Sequence, residues 1–259
     1  MVELKTYHTN CRRANLLSIT LSLRTMQSLF CCHTKTDDTH TGSLTGQKHN
    51  GQNQYTIVVF GRTGAGVSSL VNLVAGSAVA QCHADTRPCT QRAMSYAATF
   101  AGKQFCIYDI PGYRGHSPDA EITGIIQDIE NERGIDVLVY CLRRKRDTMM
   151  PDVFREIRRV VPRDVPVVAV VTELERQEGT MESWWTTSSE AGKVGNGEAL
   201  GKMGMTFEEH ACVTTLSPED VMRNEGFSER RSRSQEAVRR ILAGQCTEVK
   251  RNPMPNGIE

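Results

Sequence analysis

The chain has almost no net charge: +1, from 31 lysines and arginines against 30 aspartates and glutamates. Nothing therefore draws it as a whole to nucleic acid or to an acidic membrane surface, and a small anionic ligand would have to be held locally. It also lacks any apolar run of the roughly 18 residues that a bilayer-spanning helix needs. Its nine cysteines are odd in number and contain no C-x-x-C pair, so neither a disulfide framework nor a zinc site is indicated. A reducing, cytoplasmic compartment is the economical expectation.

What is present is concentrated between Tyr55 and Gly76, YTIVVFGRTGAGVSSLVNLVAG. Tyr55 to Phe60 is a short β-branched and apolar run of the kind found in a doubly covered parallel strand, and Leu70, Val71 and Val74 follow at helical spacing. Between them, Gly61-Arg62-Thr63-Gly64-Ala65-Gly66-Val67-Ser68 fits the phosphate-loop pattern G-x-x-x-x-G-K-S/T except that Val67 stands where the lysine belongs. Glycines let the backbone curl so that successive N–H groups face a phosphate chain, and the helix start adds its positive dipole. A serine at 68 offers a hydroxyl to Mg²⁺. Valine at 67 offers no cation, and a charge-assisted hydrogen bond is worth about 1.5–3 kcal/mol, so phosphate binding should be weakened unless Arg62 or Arg114 reaches in.

Residues 1–54 are polar apart from one apolar patch, Ala14 to Leu23, which follows Arg12 and Arg13. The patch resembles a signal peptide or a transit peptide in part, but Ser18, Thr20 and Ser22 interrupt it and Arg24 closes it without a small-residue cleavage site. A disordered or irregular N-terminal extension is expected. After the phosphate loop, the polar stretch Gln81 to Arg92 leads into an alternating strand, Ala93 to Phe100, and Gly102 permits a hairpin into a second strand, Gln104 to Asp109. That strand ends in Asp109-Ile110-Pro111-Gly112, where an aspartate can hold a metal's water shell opposite Ser68 and a glycine N–H can bond a terminal phosphate.

Further on, Ile122, Ile125, Ile126 and Ile129 mark an amphipathic helix that Gly134 ends, and Ile135 to Leu142 reads as a buried strand. Arg143 to Arg146 is a basic run, read as a solvated loop ahead of a phosphate or partner patch. Pro151 to Val161 predicts a helix, and Val165 to Val171 is apolar enough to be a central strand. Residues 173–209 loosen into an insertion with one helix around Met181 to Trp185. His210 to Thr215 predicts a last strand, Ser217-Pro218-Glu219-Asp220 a capped helix start, and Ser234 to Leu242 a closing helix stopped by Gly244. Residues 246–259 look unstructured. The expected organisation is thus an extension over 1–54, one domain over 55–245 and a tail.

Alternating strands and helices imply a mostly parallel sheet with helices on both faces and ligands at the carboxyl ends of the strands. GRTGAGVSS, DTRPCT, DIPG, VVTELE and HACVTT stand in the order of the phosphate loop, first switch, second switch, base-reading loop and final loop of GTPases. From Tyr55 to Leu242, about seven-tenths of the chain, it resembles G domains of the translation-factor-related class. It is most similar to fungal G-domain proteins and more distantly to septins, immunity-associated GTPases and chloroplast import-receptor GTPases. The resemblance implies a three-layer α/β P-loop NTPase fold with one antiparallel edge hairpin, and GTP or GDP with Mg²⁺ as ligands. Gly61, Arg62, Thr63, Gly64, Ala65, Gly66, Val67, Ser68 and Ser69 would surround the phosphates, and Thr172 and Glu175 would face the base. Ser68, Thr90 and Asp109 would serve the metal, with Thr86 as a substitute for Thr90. Thr90, Asp109 and Gly112 would carry hydrolysis. Septin-like relatives also imply a homodimer through the G-domain face; no nucleic-acid partner and no transmembrane segment are expected.

Three departures stand out. Val67 replaces the phosphate-loop lysine. At the base-reading loop, where the family has N/T-K-x-D, this chain has Thr172-Glu173-Leu174-Glu175, which keeps a carboxylate for guanine one methylene farther out but reverses the lysine's charge. The position after Gly112, often a water-orienting glutamine, is Tyr113. Slow, Mg²⁺-dependent GTP hydrolysis is the leading expectation. A pseudo-GTPase serving as an interaction surface is the first rival, and an ATP-using phosphotransferase ranks last.

Overall fold

The computed structural model describes residues 54–80, 93–114, 120–146, 148–187, 194–223 and 225–246. The N-terminal extension, the first-switch segment with Thr86 and Thr90, and the C-terminal tail lie outside the described residues.

Six strands form one sheet: β1 (Gln54–Gly61), β2 (Met94–Phe100), β3 (Lys103–Asp109), β4 (Val137–Arg143), β5 (Val167–Thr172) and β6 (Glu209–Cys212), in the spatial order β2-β3-β1-β4-β5-β6. All neighbours pair in parallel except β2 with β3, the antiparallel edge hairpin. Ala101 and Gly102 both take positive φ, 49° and 71°, the primed-turn geometry whose twist matches a two-residue hairpin. β1 and β5 are buried along almost their whole length and are predominantly apolar, because both faces of the sheet are covered.

Successive β1 side chains go to opposite cores, Val58 and Phe60 to one, Ile57 and Val59 to the other, as the two-residue period of a strand requires. The first core packs under α2 (Ala120–Arg133) and α3 (Met150–Val160), with Ile126, Ile129, Val153, Phe154 and Ile157 pointing inward. The second lies under α1 (Val67–Ala75) and the closing helix, to which Leu70, Val71, Val74, Val238 and Leu242 contribute. Between β5 and the closing helix run α4 (Ser183–Thr186), α5 (Asn196–Lys202) and α6 (Pro218–Met222), and the closing helix itself is α7 (Ser228–Gln245).

Most elements fall where the sequence places them, including the helix around Trp184 and the Ser217 cap, whose Oγ accepts from Asp220 N at 3.1 Å. Three do not. α5 arises inside the expected insertion, where Leu200 is fully buried and Asn196 Nδ2 donates to Trp184 O at 2.7 Å. The last strand is shorter and earlier than His210 to Thr215: Val213 N still donates to Val171 O at 2.8 Å, but Thr214 N turns to Ser234 Oγ of the closing helix at 3.0 Å. The closing helix begins six residues before Ser234 and runs past Gly244. Its polar first turns are stabilised by arginines clamping other loops rather than by apolar burial. Arg230 donates to the carbonyls of Leu174, Gln177 and Gly179, and Arg231 to that of Leu216. Farther along α7, Gln235 and Arg239 donate to Leu73 O and Val74 O at 2.6 and 2.8 Å, satisfying carbonyls that the end of α1 would otherwise leave open.

Candidate functional site

The strand order reverses at β1, with β3 on one side and β4 on the other, and the loop leaving β1 lies at the carboxyl end of the sheet, where open α/β folds hold ligands. Gly64 and Gly66 both take left-handed backbone, φ 81° and 82°. Gly66 caps α1 without any side-chain hydrogen bond, and the first turn of α1 carries no acidic residue. Neither a capping side chain nor an acidic residue of the helix thus meets the positive end of the α1 dipole, an arrangement that suits an anion.

The loop is fixed from below. Ala65 O accepts from Thr172 Oγ1 at 2.8 Å and from Cys141 Sγ at 2.9 Å, and Thr172 Oγ1 also reaches Leu142 O at 3.1 Å. Thr172 is fully buried, so its hydroxyl braces the loop from the side away from solvent. Burial, with the charge of Asp109 next in weight, pushes the Cys141 thiol well above its ordinary pKa. It is a hydrogen-bond donor in the core, which adds to its expected role as small apolar filler. Val67 is 7% exposed and joins the core under α1, so the isopropyl group points into protein.

A second strand of contacts binds the loop to the segment after β3. Val59 pairs with Asp109, whose side chain is buried, and the pairing continues past the strand ends: Ile110 N donates to Val59 O, Tyr113 N to Gly61 O, and Thr63 N to Tyr113 O, each at 3.1 Å. Thr63 Oγ1 adds bonds to Gly112 O at 2.8 Å and Tyr113 O at 3.2 Å. A Cβ on Gly112 would lie 2.6 Å from Thr63 Cα; only glycine permits this approach. The Tyr113 side chain turns inward, 2% exposed, and its hydroxyl meets that of Tyr140 at 2.8 Å. Burial holds both phenols above their ordinary pKa.

At the β5 end the arrangement is made by side chains. Arg143, the last residue of β4, pairs in register with Thr172. Its Nε and Nη2 both lie 3.0 Å from Glu173 Oε1. Glu173 takes φ 63°, left-handed backbone that costs a residue with a Cβ about 1–2 kcal/mol. Glu175 is half-buried and its Oε2 accepts from Thr214 Oγ1 at 3.3 Å, which sets it beside the final loop. Trp184 is buried with its Nε1 donating to Arg144 O at 3.0 Å, and Trp185 stacks on His210 at 4.0 Å between ring centroids. Both tryptophans are local packing.

The family described as 50S ribosome-binding GTPase matches residues 56–173, just under half of the chain. That stretch begins in β1 and ends at Glu173, and so contains the phosphate loop, the Asp109 segment and the start of the base-reading loop. The sheet order and its single antiparallel pair give the chain the α/β fold of a P-loop G domain. Similar solved structures include Toc33 from Arabidopsis thaliana in complex with GDP and Mg²⁺, with 20% identity over 77% of this chain and 66% of that one and a TM-score of 0.42. Another is Era in complex with MgGDPNP and nucleotides of 16S ribosomal RNA, with 13% identity over 68% of this chain and 56% of that one and a TM-score of 0.49. A third is the SsGBP and GDP complex, with 13% identity over 74% and 54% and a TM-score of 0.43. The chain thus spans less than two thirds of the length of each. No curated protein matches it in sequence.

Within this G domain the fold brings Gly61 to Ser69, Asp109, Gly112 and Thr172 to one end of the sheet, with Glu175 beside the final loop. Arg62 and Arg114, the two cations named from sequence, are exposed on the segments flanking the Arg62–Tyr113 bridge. Sequence reasoning ranked the run that begins at Arg143 as a solvated loop ahead of a phosphate patch, and the structure instead pairs Arg143 with Glu173. The signal was the basic run Arg143 to Arg146 at the end of a buried strand, which the parallel register carries to the loop beside Thr172.

Proposed function

We propose that this G domain binds guanine nucleotide with Mg²⁺ and hydrolyses GTP slowly. The observation that carries the reading is the cradle itself: two left-handed glycines at an uncapped, acid-free helix start, braced from below by Thr172 and Cys141 and flanked by a buried carboxylate. Bound Mg²⁺ would supply charge neutralisation of the phosphates. The donor set fits it: Ser68 and Asp109 offer oxygen, the ligand atom magnesium prefers, and one carboxylate with phosphates and water suffices for that ion. Thr90 belongs to the same proposal as the first-switch ligand. Gly112 would present its N–H to the terminal phosphate, and Glu175 would accept from guanine. Ser69 would lie near the α-phosphate.

Slow turnover follows from two side chains. Val67 places no charge on the phosphates, and Tyr113 spends its hydroxyl on Tyr140 in the core instead of orienting water. The domain over 55–245, with 173–209 as its insertion, and pairing of two copies through the nucleotide face are parts of the same reading. Light scattering with and without GTP tests the pairing.

Calorimetric titration of the full chain with GTP and Mg²⁺ tests the core of the proposal. Measurable heat below millimolar ligand, abolished by Ser68→Ala and outcompeting ATP, is the expected result. Absence of heat at millimolar GTP would favour the second reading, an interaction module without nucleotide, for which the burial of Val67 and the reversed charge at Glu173 speak. An advantage of ATP over GTP would instead support a phosphotransferase.

A further inference from the structure

We infer that Arg143 is the cation that faces the phosphate chain in place of the missing phosphate-loop lysine, and that Glu173 is the residue that aims it. This rests on the nucleotide-binding reading above and names a residue that neither the motif pattern nor the family resemblance assigns. Three observations converge on it. The Arg143 guanidinium uses Nε and Nη2 on one oxygen of Glu173, while Nη1 lies 3.8 Å from the place a Cβ on Gly64 would take. Gly64 is one of the two left-handed glycines of the cradle, so the third nitrogen of the fork stands at the rim of the anion site. Arg143 is also anchored at its backbone by strand pairing with Thr172, the residue whose hydroxyl holds Ala65; guanidinium and loop share one support. Finally, Glu173 keeps a left-handed backbone although it is not glycine, and backbone strain held in place at a functional site points to a task for the side chain it aims.

The charge reversal at Glu173 then has a physical account. A lysine at 173 would put a cation beside this rim directly. Here the cation comes from the neighbouring strand, and the residue at 173 is its counter-ion. Arginine suits the place because its planar fork can hold a carboxylate on one edge and present N–H groups to phosphate oxygens on the other. The side chains of Arg143 and Glu173 are 46% and 41% exposed, so the pair is partly hydrated and the free edge can turn to an incoming anion.

The test is calorimetry of the full chain with GTP and with GDP, each with Mg²⁺. Arg143→Ala should weaken both ligands about tenfold or more, while Arg144→Ala changes them less than about twofold. Arg143→Ala together with Glu173→Gln should remain weak. If that double variant binds like the wild type, the loss came only from an exposed carboxylate and the inference falls. Arg143→Ala with Glu173→Lys should recover most of the affinity, since it restores a cation at the same rim; no recovery would overturn the inference. If the wild-type chain binds GTP and Arg143→Ala binds equally well, Arg143 has no such role although the nucleotide reading stands. If the wild-type chain binds neither nucleotide, both readings fall together.

Discussion

The two ends of the proposed nucleotide face are built differently. At the β1 end, the phosphate loop and the Asp109 to Tyr113 segment are joined mainly by main-chain groups: Thr63 N to Tyr113 O, Tyr113 N to Gly61 O, Ile110 N to Val59 O. At the β5 end, the contacts run through side chains: Arg143 to Glu173, Thr214 to Glu175, Arg230 to three carbonyls. A main-chain bond depends on residue identity only where a Cβ would intrude, as at Gly112, so the β1 end holds its geometry with Val67 in the loop. A side-chain contact changes with every substitution, and the β5 end is accordingly organised around the Arg143–Glu173 pair. Shape is set by the backbone at one end, and the placement of charge by side chains at the other.

The comparison breaks most visibly if the backbone junction itself is forced apart. Gly112→Ala would set a Cβ 2.6 and 2.7 Å from Thr63 Cα and N, atoms that no rotamer change can move. A loss of about 1–3 kcal/mol in urea unfolding is expected, with GTP affinity falling more than tenfold. Gly124→Ala in α2 is the matched control: nothing lies within 4 Å of the added atom, and replacing an exposed helical glycine should stabilise by about 0.5–1 kcal/mol. Equal effects at the two positions would mean that the close approach of Thr63 and Gly112 does not matter.

Next in size is Val67→Lys. In the Arg143→Ala background the added ammonium group should tighten GTP binding about tenfold, read by calorimetry, and in the wild-type background by less than about threefold, while burial of the valine is lost at about 1–2 kcal/mol of stability in the ligand-free protein. A gain of about tenfold in the wild-type background would show that Arg143 does not serve the phosphates.

The same division explains what the sequence reveals. The sheet, its antiparallel hairpin and the positions of Gly61 to Ser68 and Asp109 follow from periodicity and glycine spacing, because those features are imposed by main-chain geometry and burial. The start of α7 is not legible, since Ser228 to Arg233 carries no apolar period; its stability comes from Arg230 and Arg231 reaching carbonyls some 55 and 15 residues away in sequence. α5 is hidden in a glycine-rich stretch and depends on Leu200 finding a core made by distant strands. The place of Arg143 depends on strand order, which no local pattern encodes. Likewise Tyr113 reads as a missing glutamine, and only the packing of Tyr140 beneath it shows the residue to be an anchor.

That anchor should be worth about 1 kcal/mol. Tyr113→Phe leaves the Tyr140 hydroxyl with only Met150 O, at 3.5 Å, and a net loss of that order is the usual cost of one hydrogen bond. Adding Tyr140→Phe removes the remaining partner and should recover part of it. The pH dependence has a definite sign. Burial raises both phenols above about 10 in the folded protein, so above that pH the unfolded chain releases protons that the folded chain retains. Their contribution is complete below pH 10 and is lost as pH rises beyond it. Burial raises Cys141 and Cys212 above 9.0 too, the latter to about 12, so stability begins to fall from pH 9. Chemical denaturation from pH 8 to 11 should show the double phenylalanine variant flattening only the part above 10. An undiminished slope there would place the titration elsewhere.

The smallest effect on folding is expected at the β5 end, where side chains make the contacts. Glu173→Gly relieves a left-handed glutamate, and the ion pair it gives up is one of the partly exposed kind that contributes about 0–1 kcal/mol. Glycine in turn gains freedom in the unfolded chain, which costs roughly 0.4–1 kcal/mol. These terms oppose one another, so unfolding free energy should change by less than about 1 kcal/mol, measured in the same urea titration. Nucleotide affinity should nevertheless fall, because Arg143 loses the carboxylate that orients it. A destabilisation well beyond 1 kcal/mol would instead make Glu173 part of the framework, and the two ends of the face would then differ less than their bonding suggests.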